Sequence, residues 1–255
     1  MHHAYIDHLA MGDSPMHRLD ARAKLVAVVA FTALVVSVPR YELAALLPYA
    51  ILPFAWLAFG GVPFGFVAKH LLIVSPFILF VAAFNPIYDA APVLVRLGPW
   101  AFWVRGGVLS CASACGKFAL TVSALVALVS TTRFHDLLRA MAWFRLPRLF
   151  VIELSFLYRY LFLLIEQVQR MKRARESRSV GRAPLAWRLR AAGGIIGNLF
   201  LRTLERGERV YAAMLARGFD GTVKTLTCFR MGAGDYAFLA GSVLFAAALR
   251  FGGLQ

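Results

Sequence analysis

Acidic side chains are scarce in this sequence. Thirteen Asp and Glu stand against 28 Lys and Arg, a formal net charge of +15, and charged residues make up only 16% of the 255 positions. A soluble domain carries about 25% charged and roughly 45–50% apolar residues, whereas the hydrophobic share here is 60%. That departure excludes an ordinary water-soluble domain and points to burial in lipid. Cysteine is scarce as well: three residues give no disulfide framework. Cys111 and Cys115 sit one helical turn apart in an apolar segment without His or Cys partners and read as small packing residues. A Walker A sequence is missing, so the chain is not by itself an ATPase. Asp7, Asp20, Asp89 and Asp235 are far apart in sequence and are read at different membrane levels, which leaves no paired-carboxylate site for acid–base chemistry. No small-residue cleavage site follows the first apolar run, so no signal peptide is expected.

What is present is a series of apolar runs, each near the length of a membrane span of about 20 residues. Leu25 to Val38 is short and closes at Pro39-Arg40; Leu43 to Gly61 carries Pro48 and Pro53, which should kink it. Val67 to Phe84 is a third run, with Lys69 and His70 near its start. Asn85-Pro86, Pro92 and Gly98-Pro99 then mark a loop whose Trp100 and Trp103 suit a membrane interface. Gly106 to Val129 is a fourth run and Tyr236 to Leu249 a fifth. Of the 28 basic residues, 19 fall between Arg133 and Arg230, a stretch with only seven acids. Basic residues beside spans are retained in the cytoplasm. With Arg22 and Lys24 inside, four crossings return the chain to the cytoplasm at Thr131, where the basic stretch begins. The charge therefore reads as topology rather than as a nucleic-acid interface. The expected organisation is an N-terminal segment at 1–24, four transmembrane helices at 25–130, a cytosolic region at 131–230 and a last span at 231–255. The fold class is all-α.

Two amphipathic helices are legible inside the basic stretch. Leu157, Leu161, Leu164, Ile165, Val168 and Met171 share one face, with Arg159, Glu166, Arg170 and Arg173 away from it. A second helix reads through Phe200, Leu204, Tyr211, Met214 and Leu215, opposite Arg202, Glu205, Arg206 and Arg209, where Glu205 and Arg209 stand at i,i+4. The first ends in Met171-Lys172-Arg173-Ala174-Arg175-Glu176-Ser177-Arg178-Ser179 and the second in Met214-Leu215-Ala216-Arg217-Gly218. Each places an arginine between small residues at a helix C-terminus, from which a guanidinium can enter a groove and fork onto a carboxylate. A last-turn cation commonly does no more than offset the helix dipole. Two such arginines on two helices of one region instead suit a partner made of two similar subunits.

Several motifs resemble one known family in order along nearly the whole chain. They are Ile6-Asp7, Ser14-Pro15-Met16-His17-Arg18-Leu19-Asp20-Ala21-Arg22-Ala23-Lys24, Asn85-Pro86, Ser130-Thr131-Thr132, Phe156-Leu157-Tyr158-Arg159-Tyr160 and the two arginine signatures. The resemblance is to the T components of energy-coupling-factor importers, specifically the CbiQ branch that serves cobalt. It implies a non-catalytic membrane subunit in which Ala-Arg-Gly-like triplets dock into two ATP-binding cassette ATPase subunits. Carried over, those triplets are Ser177-Arg178-Ser179 and Ala216-Arg217-Gly218. The second matches fully; the first departs at both flanks, which keeps Ala174-Arg175-Glu176 open as an alternative register. The implied partners also include a membrane substrate-binding subunit for cobalt or nickel, with or without a small accessory membrane subunit, and the implied location is the bacterial cell membrane.

The resemblance assigns the transported ion to that separate subunit, so no metal ligand and no cofactor is expected here. Met1-His2-His3 could bind Ni²⁺ or Cu²⁺ through a free amine but reads as a solvated tail, and His17 and His135 read as structural. A membrane-embedded transferase acting on a phosphorylated lipid is the alternative of a different class. It requires acids to hold a metal near the basic region, where the few acids read as helix-face partners of arginine.

Overall fold

The computed structural model describes residues 9–88, 92–97, 100–178, 184–221 and 231–251, with 87, 88, 92–97, 100–104 and 148 described by their backbone alone. The chain divides into two compact units, Met1–Ala140 with Phe229–Gln255 and Met141–Cys228.

In the first unit a turn of helix at Pro15–Arg18 precedes the first long helix. His17 is held on both sides of its ring there, by the Ser14 hydroxyl at 2.6 Å and the Leu9 carbonyl at 2.8 Å. Helix α1 spans Ala21–Ser37, and the Asp20 carboxylate caps it by accepting from the Arg22 N–H at 2.8 Å. Its 17 residues reach about 25 Å, short of a hydrocarbon core about 30 Å thick. The far end is closed from outside: the Lys117 ammonium donates to the carbonyls of Val36 and Val38, satisfying acceptors that have no partner within the helix.

The second run folds as two 3₁₀ turns, Ala44–Leu46 and Pro48–Ala50, followed by helix α2, Ile51–Gly60. Pro48 stands first in the second turn, where its missing N–H costs nothing. Gly61 ends α2 in the left-handed conformation (φ 64°), and Pro63 then opens α3, Phe64–Ala82, which contains Pro76. After a helical turn at Asn85–Tyr88 comes an antiparallel hairpin, β1 Pro92–Leu97 and β2 Trp100–Arg105, in register Pro92↔Arg105 through Leu97↔Trp100. The sequence reading gave this connection as a loop, taking Pro and Gly only as punctuation. Val93, Val95, Phe102 and Val104 are strand formers on either side of a two-residue connection. The interfacial placement read for Trp100 and Trp103 concerns side chains outside those described.

Helix α4, Gly106–Thr131, is followed by a short α5, Phe134–Trp143, and the unit closes with α8, Ala233–Phe251, after the intervening insertion. Helices α3, α4 and α8 are long and apolar enough to cross a membrane; Ala44–Gly60 is apolar but shorter. The all-α membrane fold is thus as expected, with α1 and the kinked Ala44–Gly60 segment as the two short members of the five apolar runs. These two supply the core: the Phe31 ring meets Trp56 edge-on at 5.5 Å, and Tyr49 and Phe238 complete the aromatic cluster. Ala27, Ala124, Ala127 and Ala246 are fully buried around it, where small side chains let helix backbones approach. Most of α3, by contrast, exposes large apolar side chains such as Leu72, Phe77 and Phe80, as a lipid-facing helix does.

One end of this bundle is tied by polar groups. Lys24, 2% exposed, donates from Nζ to the carbonyl of Thr131 at 2.8 Å, closing the C-terminus of α4. The Asp235 carboxylate accepts from the backbone N–H of Asp20 at 2.7 Å and of Gly232 at 2.8 Å. Burial pulls the pKa of the Lys24 ammonium down to about 8, and the charges of Asp136, Asp20 and Asp235 act against that shift. The reading that put Asp20 and Asp235 at different levels is therefore corrected: α1 and α8 both start at this end of the bundle, so residues 215 positions apart meet. The end of α2 joins them, because a Cβ on Gly60 would lie 2.8 Å from the Thr131 Cγ2.

That approach gives a packing test. Thr131 holds its rotamer through an Oγ1 bond to the Ala127 carbonyl, so its methyl cannot swing aside. Gly60→Ala should lower stability in detergent unfolding by about 1–3 kcal/mol. Adding Thr131→Ser, which removes the methyl and keeps the hydroxyl, should recover most of the loss.

Candidate functional site

The second unit is built on two long helices, α6 Arg148–Glu176 of 29 residues and α7 Leu185–Ala216 of 32. Both are amphipathic, and both are longer than the stretches legible in the sequence. They pack antiparallel. Near one end, Leu149, Ile152, Phe156 and Tyr160 of α6 face Val210, Tyr211 and Met214 of α7 across an apolar cleft of about 470 Å³. Towards the other end, the Arg175 guanidinium lies over the Trp187 ring at 5.2 Å. No residue of α7 is buried, and Leu189, Ile196, Phe200 and Leu204 stand exposed along it.

The polar faces carry the ion pairs expected at helical spacing: Glu205 with Arg209 at 3.8 Å, Glu166 with Arg170, and Lys172 with Glu176 at 3.8 Å. The hydrogen bond from Arg170 holds the Glu166 carboxyl below its ordinary range. All six side chains are solvated, so these pairs contribute little to stability. Arg206, expected on the exposed face, also lines the apolar cleft and so contributes its aliphatic stem to packing.

The two arginine signatures end α6 and α7. At α7, Arg217 is the C-cap and Gly218 follows at φ 79°. The Phe219 N–H returns to the Met214 carbonyl and the Gly218 N–H to the Leu215 carbonyl, both at 3.0 Å. These are the two bonds of a Schellman motif, and Phe219 and Met214, its usual apolar pair, both line the cleft. Ala-Arg-Gly thus has a local meaning: the glycine supplies the left-handed turn and leaves Arg217 exposed at the corner. Phe219 was not singled out from the sequence, though an aromatic directly after Ala-Arg-Gly is the signal for it. At α6, Ser177 is the C-cap; its hydroxyl and its N–H both bond the Arg173 carbonyl, and the Arg178 N–H bonds that of Arg175. Ser177 and Arg178 are exposed; Ser179 lies outside the described residues. Arg175, the alternative to Arg178, is half-buried against Trp187.

Because α6 and α7 run antiparallel, their C-termini are at opposite ends. Arg175 marks where α6 ends beside the start of α7, and from Trp187 to Arg217 the helix rises about 45 Å at 1.5 Å per residue. The two signatures are therefore not brought together: they form two separate corners of one helix pair. Cys111 and Cys115 are half-buried in α4, and among the described residues no group of three or more His, Cys, Asp or Glu comes together to hold a metal.

The fold and its corners define a polytopic α-helical membrane protein with an amphipathic helix pair inserted before its last span. Residues 12–227 match the family model of the cobalt transport protein CbiQ, and the chain belongs to that family. It is similar to the energy-coupling factor transporter transmembrane protein EcfT of Bacillus selenitireducens, 30% identical over 93% of this chain and 92% of that protein. It is also similar to an uncharacterized protein of Methanocaldococcus jannaschii (33% identical, 52% of this chain, 46% of that protein) and to the nickel permease LarQ of Lactiplantibacillus plantarum (34%, 45% and 41%). The chain thus spans less than half the length of these last two. It is a multi-pass protein of the cell membrane.

The α7 corner makes a specific prediction. No atom lies within 4 Å of a Cβ built on Gly218, so substitution there meets only the backbone penalty of the left-handed region, about 1–2 kcal/mol. Hydrogen exchange at the Phe219 amide should speed up in Gly218→Ala, more in Gly218→Val, and least in Gly218→Asn.

Proposed function

We propose that this chain is the transmembrane coupling subunit of an energy-coupling-factor importer for cobalt or nickel. In this reading residues 131–230 are cytosolic, Arg178 and Arg217 each enter an acidic groove on one of two ATP-binding cassette ATPase subunits, and a separate membrane subunit carries the ion. The chain transmits motion and does no chemistry. ATP binding closes the two ATPases, their grooves carry the ends of α6 and α7 with them, and the membrane part shifts against the substrate-binding subunit as a rigid body.

The observation that carries this reading is the separation of two exposed arginines at opposite ends of one antiparallel helix pair. A single anion site would need them side by side; two copies of one partner need them apart. The occupied position of Arg175 over Trp187 favours Arg178 as the docking residue of α6.

Two measurements test the reading. In a cysteine-accessibility scan, residues 170–178 and 217–221 should react only from the cytoplasmic side; labelling from outside intact cells overturns it. In the complex with ATPase and substrate subunits, Arg178→Ala/Arg217→Ala should abolish uptake of labelled cobalt or nickel and weaken ATPase pull-down while insertion stays normal. Breaking each desolvated arginine–carboxylate pair should cost about 2–5 kcal/mol. Lysine should rescue poorly, since it lacks the planar fork, and Arg202→Ala should cost far less. Full uptake and association in the double variant sink the docking role, and a larger effect of Arg175→Ala than of Arg178→Ala moves the first triplet back one turn.

A further inference from the structure

The buried end of the bundle uses motifs that the docking reading leaves idle. Asp20 and Lys24 come from the segment before the first span, Thr131 from Ser130-Thr131-Thr132, and Asp235 from the start of the last span. The chain runs from Thr131 through α5 into the helix pair and comes back at Gly232, three residues ahead of Asp235. The points where the chain leaves and re-enters the bundle are therefore tied at one place. The outgoing end is held by Lys24 on the Thr131 carbonyl at 2.8 Å. The returning end is held by Asp235, whose two oxygens bond the backbone of Gly232 and of Asp20. Asp20 also caps α1, four residues before Lys24, so the two fastenings share one helix start.

We propose that Lys24 and Asp235 form a latch that ties, at the start of α1, the two points where the chain leaves and re-enters the membrane bundle, making them positioning residues for transport. This rests on the coupling reading. A load applied to the insertion has two covalent routes into the membrane helices, through α5 into α4 and through Gly232 into α8. Unless the two routes are tied, each can yield separately and the insertion moves without the bundle. The burial of Lys24 makes the tie stiff, because its donor has no water to exchange into and release leaves the Thr131 carbonyl unpaired.

The test uses Lys24→Met, Asp235→Asn and the double variant in the full complex. Removing one charge from a buried network is more disruptive than removing both, so the double variant guards against simple misfolding. Hydrogen exchange is read on the full chain in nanodiscs at 134–143 and 232–238, with α3 as an internal reference. Uptake is read per assembled complex, normalised to ATPase pull-down. The latch predicts at least tenfold faster exchange at both junctions with α3 unchanged. It also predicts at least tenfold lower uptake per assembled complex in the double variant, with ATPase hydrolysis retained. Unchanged junction exchange in all variants overturns the latch. Faster exchange with uptake per complex at the unmodified level overturns the positioning role and leaves only a structural one. Failure of the coupling reading is seen separately, as ATPases that do not associate with the unmodified chain.

Discussion

A lysine ammonium cannot sit inside a helical bundle without acceptors, and the arrangement at Lys24 follows from that constraint. Its Nζ takes the Thr131 carbonyl, one of the acceptors that the end of any helix leaves unpaired. Two deficits cancel: the buried donor and the orphan acceptor of a 26-residue helix. The carboxylates around it then settle where the neighbouring helices start. Asp20 caps α1, and Asp235 accepts from the N–H groups of Gly232, just ahead of α8, and of Asp20, just ahead of α1, so the starts of α1 and α8 are tied beside the end of α4. Gly60 belongs to the same constraint, since only a missing side chain lets the end of α2 approach Thr131.

A different economy governs the helix pair. Its helices are long, their ion pairs are solvated, and their apolar faces are largely uncovered along α7. Such helices gain little from burial within the chain itself, and the exposed apolar length is area available to partners. The aromatic contact of Arg175 with Trp187 and the cleft around Met214 and Phe219 tie the pair at both ends. Between these two contacts most of the surface of α7 stays open.

The sequence disclosed those features that depend on composition or on period. Apolar runs, the excess of basic residues after Arg133 and the helical spacing of Leu157 through Met171 are one-dimensional signals, and the membrane fold and the helix pair follow from them. Pairings between distant segments leave no such trace. Asp20 and Asp235 carry nothing in their local sequence that announces their contact, and considering each acid only as a possible catalytic group hid its role as a cap. The hairpin at 92–105 was hidden by a different effect, because glycine and proline mark hairpin turns as readily as open loops. The lengths of α6 and α7 were underread because their outer turns contain Gly193, Gly194 and Arg148, which dilute the periodic pattern that marks the middle.

The sequence left one choice open at the arginine signatures: each cation could serve its own helix end or be offered to a partner. The backbone shows which groups do the capping. If Arg217 served as a cap, its guanidinium would be needed by the last carbonyls of α7, but those of Met214 and Leu215 already accept from the N–H groups of Phe219 and Gly218. At α6 the Ser177 hydroxyl and N–H take the Arg173 carbonyl, and the Arg178 N–H takes that of Arg175. Small residues beside each arginine perform the capping that the long side chain would otherwise do. The attraction of the helix dipole for a cation persists, but at a solvated terminus it is worth only about 0.3–1 kcal/mol, less than a charge-assisted fork onto a carboxylate in a desolvated groove. Gly218 and Ser177 therefore end their helices with bonds that leave the arginine side chains out of the capping.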